Sequence, residues 1–320
     1  MCATPWSHED ARETLVRGLS GATVFVTGAG GMLGRAFAWV LQTVVPTARI
    51  ELRTRADLDV TSRDAVMAAG EVSPDIVIHC AALVDADACE REPQRARHVI
   101  VEGGRWVAEM AASRGARLIF PQSFLIYGET SGDITEETIP DPMSEYGRLK
   151  WEAESMMRAI VPSALVVRMG GFFGGEEVDK NFVGKFVRRL TEVAASGGGS
   201  LEVGGRRWQP TYTRDLAFNT LLLAASGGSG AFQMASLGSA TFFDVAVECV
   251  EALGLQRSVS IGAVGADVAA RRDVARRPMR AVMRNARLGR EQCDLQRPWR
   301  EALGEYLRSP YFDGSRSSAG

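Results

Sequence analysis

A short β-branched run, Thr23–Thr27 (TVFVT), is followed at once by glycines at 28, 31 and 34, and then by MLGRAFAWVLQTV, where Leu33, Phe37, Val40, Leu41 and Val44 recur at helical spacing. No other feature restricts the fold as much. A strand, a GxxGxxG turn and an amphipathic helix in that order form the opening unit of a parallel α/β sheet. Gly28 permits the tight turn, Gly31 lets backbone approach a pyrophosphate and Gly34 lets the helix pack closely on the loop. The free N–H groups at the helix start, from Met32 and Leu33 onward, suit an anion. In this setting the glycines point to a dinucleotide site rather than to a flexible turn.

The same alternation continues along the chain. Further β-branched runs stand at 49–52 (RIEL), 75–80 (DIVIHC), 117–120 (RLIF) and 164–168 (ALVVR), and they read as nearly continuous apolar strands of a sheet covered on both faces. The expected fold is therefore α/β, a Rossmann-type doubly wound parallel sheet, with a smaller C-terminal substrate-binding lobe. Residues 1–20 read as an N-terminal extension and 311–320 as a tail that frays from 314. The dinucleotide-binding domain is expected over 21–167 and about 209–239, and the substrate lobe over 168–208 and about 240–310. Within that second part 181–195 reads as a helix, while 201–213 and 230–236 look strand-like and allow a return to the first sheet.

Composition narrows the partners. With 37 Lys and Arg against 39 Asp and Glu, the net charge of −2 gives no field that draws in nucleic acid or an acidic membrane. Apolar runs such as 36–45 and 220–225 fall short of the roughly 20 residues that span a bilayer, and acids at 9, 10 and 13 interrupt any secretory signal. Cys2, Cys80, Cys89, Cys249 and Cys293 are scattered without metal-ligand spacing, so no metal site is expected and a reducing cytoplasm fits.

Two segments carry chemistry. The second strand run ends in Glu51-Leu52-Arg53-Thr54-Arg55, where an acid would bind ribose hydroxyls and a base a 2′-phosphate. Arg53 and Arg55 favour NADPH through bidentate guanidinium–phosphate pairing; NADH stays possible through Glu51, which lies inside the strand pattern. The second segment is Tyr146-Gly147-Arg148-Leu149-Lys150 at the head of a helix-forming stretch. Tyr146 and Lys150, four apart, share a helix face, and a cation beside a phenol favours its ionised form and tunes it for proton transfer. Ser123, at the end of the 117–120 run, is placed to reach a substrate carbonyl, because ligands of open parallel sheets lie beyond the carboxyl ends of strands.

The glycine loop, Ser123 and YxxxK together resemble the extended short-chain dehydrogenase/reductase superfamily. The segments RADLDV (55–60), AALVDADACE (81–90), KNF (180–182), QPTY (209–212), DLA (215–217), Arg277-Pro278 and WREAL (299–303) resemble those of the dTDP-4-dehydrorhamnose reductase family, so the likeness runs from about residue 22 to 308. It implies reduction of a keto group, at C4, on a nucleotide-linked 4-keto-6-deoxysugar. Tyr146 would donate the proton, Lys150 hold the nicotinamide ribose and Ser123 bind the carbonyl. It further implies that Asp59, Val60, Ala81, Ala82 and Met169 line the cofactor, and that Val84, Phe124, Asn181, Phe182, Gln209 and Arg277 line the substrate, with a homodimer possible. Two departures stand out: Ile100 occupies the place of an Asn that helps organise the site, and Phe124 replaces an acid, which points to a more apolar sugar pocket. With Phe124 and Leu125 after Ser123, the acid and base needed for dehydration are missing. A sugar-nucleotide epimerase of the same superfamily and a non-catalytic regulatory subunit with this fold are the alternatives.

Overall fold

The runs read as strands assemble in the order 230–234, 165–169, 117–123, 76–79, 23–27 and 49–53, every pair parallel. The computed structural model describes residues 3–265 and 273–317, with the side chains of 316 and 317 excepted; Cys2 and the last three residues of the expected tail lie outside the described residues. The strands are β1 (Thr23–Thr27), β2 (Arg49–Arg53), β3 (Ile76–His79), β4 (Arg117–Ser123), β5 (Leu165–Met169) and, later, β10 (Gly230–Met234). Successive strand residues feed opposite faces. Val24, Val26, Ile76 and Ile78 enter one apolar cluster, and Phe25, Val77, Leu118 and Phe120 the other, so both faces are covered and the strands read as unbroken apolar runs.

Helices α1 (Glu9–Leu19), α2 (Met32–Val44) and α9 (Thr213–Ala225) cover the first face. The expected N-terminal extension therefore includes a helix of the core layer. Leu15 and Leu19 are buried against α9, and burying a leucine contributes roughly 1.5–3 kcal/mol. Helices α3 (Arg63–Ala69), α6 (Gly103–Ser113) and α7 (Glu145–Ile160) cover the second face, with the short helices α4 (Ala86–Arg91) and α5 (Pro93–Arg97) beside them.

β4 runs through Pro121 to Ser123, three residues beyond the expected end. A proline in a central strand normally costs a ladder hydrogen bond. Here β3 pairs only as far as Ile78↔Ile119, so β4 has lost that neighbour before Pro121. The sheet parts at this point, and Ser123 stands at the mouth of the opening.

A third apolar cluster gathers Phe173, Val183, Phe186, Leu190, Trp208, Val245, Trp299 and Leu303. It includes α8 (Phe182–Ala195) and α10 (Phe242–Ala252). The stretch 201–213 does not return to the main sheet. It breaks at Gly204-Gly205 and Pro210 into β7 (Gly199–Gly204), β8 (Arg207–Trp208) and β9 (Thr211–Tyr212). These pair with β12 (Val259–Val264), β11 (Ala240–Thr241) and β6 (Phe172–Phe173) respectively. The return is made by β10 on β5. No helix among the described residues is long and apolar enough to cross a membrane.

Candidate active site

The glycine turn is built by close approach. Gly28 has φ +64°, and a Cβ there would lie 2.6 Å from the Ala81 nitrogen, so the turn rests on the chain leaving β3. At Gly34 a Cβ would come within 2.5 Å of the Gly28 oxygen, which lets α2 start directly against the loop. Gly31 is the extended N-cap, and no side chain caps the helix above it. The first-turn N–H groups of α2, beginning with Met32 and Leu33, are thus open to an anion. Thr27 secures the loop: its hydroxyl accepts from the Ala81 nitrogen at 3.2 Å and pairs with His79 Nδ1 at 2.8 Å.

At the end of β2 the Arg53 guanidinium is held by Glu51 at 2.8 Å and lies over the Phe25 ring. Glu51 therefore orients Arg53. Arg55 is exposed, near Asp59. Asp59 itself turns to Thr61, whose hydroxyl and backbone N–H hold the carboxyl below its usual range. Val60 is buried against Gly103, Ala81 and Ala82 are half-buried just after β3, and Met169 ends β5 in register with Ser123.

The reacting groups converge where β4 ends. The Ser123 hydroxyl accepts from the Leu125 nitrogen at 3.1 Å and lies beside the Tyr146 phenol, whose ionised form it favours. Two caps fix the start of α7: Ser144 accepts from the Gly147 nitrogen at 3.2 Å, and Glu90 accepts from the Glu145 nitrogen at 2.7 Å. Lys150, one turn on, is also buried. Its ammonium donates to the Pro121 carbonyl at 2.8 Å and lies 3.9 Å over the Phe120 ring.

The electrostatics correct one expectation. Burial pushes the Tyr146 phenol above its ordinary value, Ser123 opposes this only in part, and Lys150 is not among the groups acting on it. The phenol is thus held in its protonated form, as a donor. Burial instead acts on Lys150, bringing it down to about 7 against the upward pull of Glu154.

The expected substrate residues are dispersed in behaviour. Val84 is 65% exposed. Phe124 is half-buried, and it and Trp208 flank Gly171. Phe182 joins an aromatic group with Phe186, Phe242 and Trp208. The Asn181 amide donates to the Phe172 carbonyl at 2.8 Å. Gln209 is spent on backbone at both ends, donating to the Ser236 carbonyl and accepting from the Met283 nitrogen, so its amide braces the fold. Arg277 pairs with Asp87 at 2.9 Å and with Asp273 at 3.4 Å. Ile100 is 2% exposed in a π-helical turn, His98–Glu102, and brings no polar group to the site.

Gln122, Glu154 and Arg168, all buried directly behind Ser123 and Lys150, escaped the sequence reading. Glu154 carried a signal, since it extends the Tyr146, Lys150 spacing by another four residues.

A family model described as RmlD substrate binding domain matches residues 22–311. The chain is 33% identical over 287 residues to the dTDP-4-dehydrorhamnose reductase of Mycolicibacterium smegmatis, covering 88% of this chain and 83% of that protein. It is 31% identical over 284 residues to the probable dTDP-4,6-dihydroxy-2-methyloxan-3-one 4-ketoreductase of Streptomyces antibioticus, covering 88% and 92% respectively. Among solved structures, a dTDP-4-dehydrorhamnose reductase from Clostridium acetobutylicum superposes with a TM-score of 0.81 at 29% identity, covering 89% of this chain and 98% of that one.

Proposed function

Since the chain belongs to the family described as RmlD substrate binding domain, we propose that it is an NADPH-dependent ketoreductase acting at C4 of a nucleotide-linked 4-keto-6-deoxysugar. The observation that carries this reading is the convergence of Ser123 and Tyr146 at the carboxyl end of β4, with Lys150 one helical turn behind. A ketone oxygen received between the two hydroxyls is polarised by Ser123 and takes the proton from Tyr146. Lys150 spends one of its three donors on Pro121, leaving two for ribose hydroxyls. Phe124 and Leu125 supply no acid or base for elimination, which weighs against dehydration.

The glycine cradle fits a dinucleotide, because the space a Cβ would occupy at Gly28 and Gly34 is taken by backbone, and the helix start is left uncapped. Bound NADPH supplies the hydride. Arg53, already oriented by Glu51, is the group for the 2′-phosphate. Arg53→Ala should therefore raise the Kd for NADPH about tenfold, equivalent to ~1.4 kcal/mol, and leave NADH binding unchanged. Equal weakening of both cofactors, measured by fluorescence titration, would remove the phosphate role. The sugar-nucleotide substrate is supported by the two relatives whose names specify dTDP-linked ketones. NADPH oxidation with such a ketone tests the proposal.

A further inference from the structure

Four residues past Lys150 on the same face of α7 lies Glu154, 0% exposed. A carboxylate so far from water persists only when paired. Arg168 from β5 donates to both of its oxygens, at 2.6 and 3.3 Å, and Gln122 Nε2 donates to it at 2.9 Å. The same Gln122 nitrogen reaches the Lys150 backbone carbonyl at 2.9 Å, and Gln122 Oε1 accepts from the Ser123 nitrogen at 2.8 Å. A single buried amide thus touches the backbone of Ser123, the backbone of Lys150 and the Glu154 carboxylate. Arg168 extends the network to the Tyr127 hydroxyl at 2.9 Å, which also accepts from Gln233 of β10 at 2.8 Å.

All of these groups are buried, so they act through Ser123 and Lys150. The titratable groups that face Lys150 are His79 and Cys80 from the β3 end and Glu154 from its own helix, with Arg168 of β5 and Arg158 of the same helix against Glu154. Burial keeps His79 and Cys80 neutral at physiological pH, pushing them to about 3 and about 12. Glu154 is the anion of the group.

We propose that Gln122 and Glu154 are positioning residues. The Gln122 amide locks the Ser123 backbone to that of Lys150, and the Glu154 carboxylate, seated by Arg168, supplies the counter-charge for the Lys150 ammonium. The kinetic consequence rests on the ketoreductase reading, whereas the charge consequence does not.

The chain has three lysines, Lys150, Lys180 and Lys185, so the full-length protein labelled with 13C at lysine Cε allows Lys150 to be titrated by NMR without substrate. Lys150→Arg assigns its resonance. The wild-type midpoint is expected near 7, and Glu154→Gln should lower it by about one pH unit or more, since the charge opposing desolvation is gone. Should Glu154→Gln fail to fold because Arg168 is stranded, Glu154→Gln with Arg168→Met removes both charges, and a smaller drop is expected because the loss of the cation offsets part of it. An unchanged midpoint in a folded variant overturns the role of Glu154. Gln122→Met should lower kcat about tenfold with KM near wild type, as expected when reacting groups lose alignment, and wild-type kcat overturns its role. If the wild type reduces no nucleotide-linked ketone, the ketoreductase reading fails while the titration still decides on Glu154.

Discussion

Tyr146→Phe lowers kcat by roughly 10²- to 10⁴-fold, the usual worth of a positioned general acid, while the protein keeps its fold and its affinity for NADPH. The phenylalanine ring fills the same place in the apolar cluster with Leu149, Ala153 and Phe120, so packing is retained. What disappears is the hydroxyl beside Ser123 and, with it, the proton for the nascent alkoxide. Steady-state kinetics and a cofactor titration on the same preparation check this. Turnover within a few-fold of wild type would remove Tyr146 from the chemistry.

Gly147→Ala has the second largest effect, and its sign runs against helix propensity. In an exposed helix interior, alanine for glycine stabilises by about 1 kcal/mol. At Gly147 a Cβ would stand 2.1 Å from the Leu125 carbonyl oxygen and 2.9 Å from the Pro142 side chain. The first clash is with backbone, so no change of rotamer relieves it. The start of α7 must back away from the turn that follows Ser123, carrying Tyr146 with it. A misplacement of about 1 Å costs on the order of 10²-fold in rate. The expected outcome is a kcat lowered by about that factor together with a lower Tm. A variant with raised Tm and intact kcat would mean that α7 does not press on the turn.

The glycine loop, the strand runs and YxxxK were legible because each is a local pattern in which the physics of one turn or one helix decides the outcome. The limits of β4 were less so. Its extension through Pro121 depends on β3 ending early, a fact about a neighbouring strand. Likewise 201–213 has strand composition throughout, but its partners lie in 172–173, 240–241 and 259–264. Gln122, Glu154 and Arg168 look like ordinary polar residues of a strand, a helix and a strand end. Only their convergence from three elements shows them to be buried and mutually satisfied. For Gln209 and Arg277 the structure adds what the family likeness does not show, their distant partners Met283 and Asp87.

Net transfer of hydride and proton to a ketone is measured most directly with NADPH carrying deuterium at nicotinamide C4 and a panel of nucleotide-linked keto sugars. One NADPH is expected to be oxidised per sugar reduced, with deuterium on the new carbinol carbon of the product and turnover lost in Tyr146→Phe. A sugar that is isomerised without net NADPH oxidation, or a panel that leaves NADPH wholly unconsumed, would contradict it.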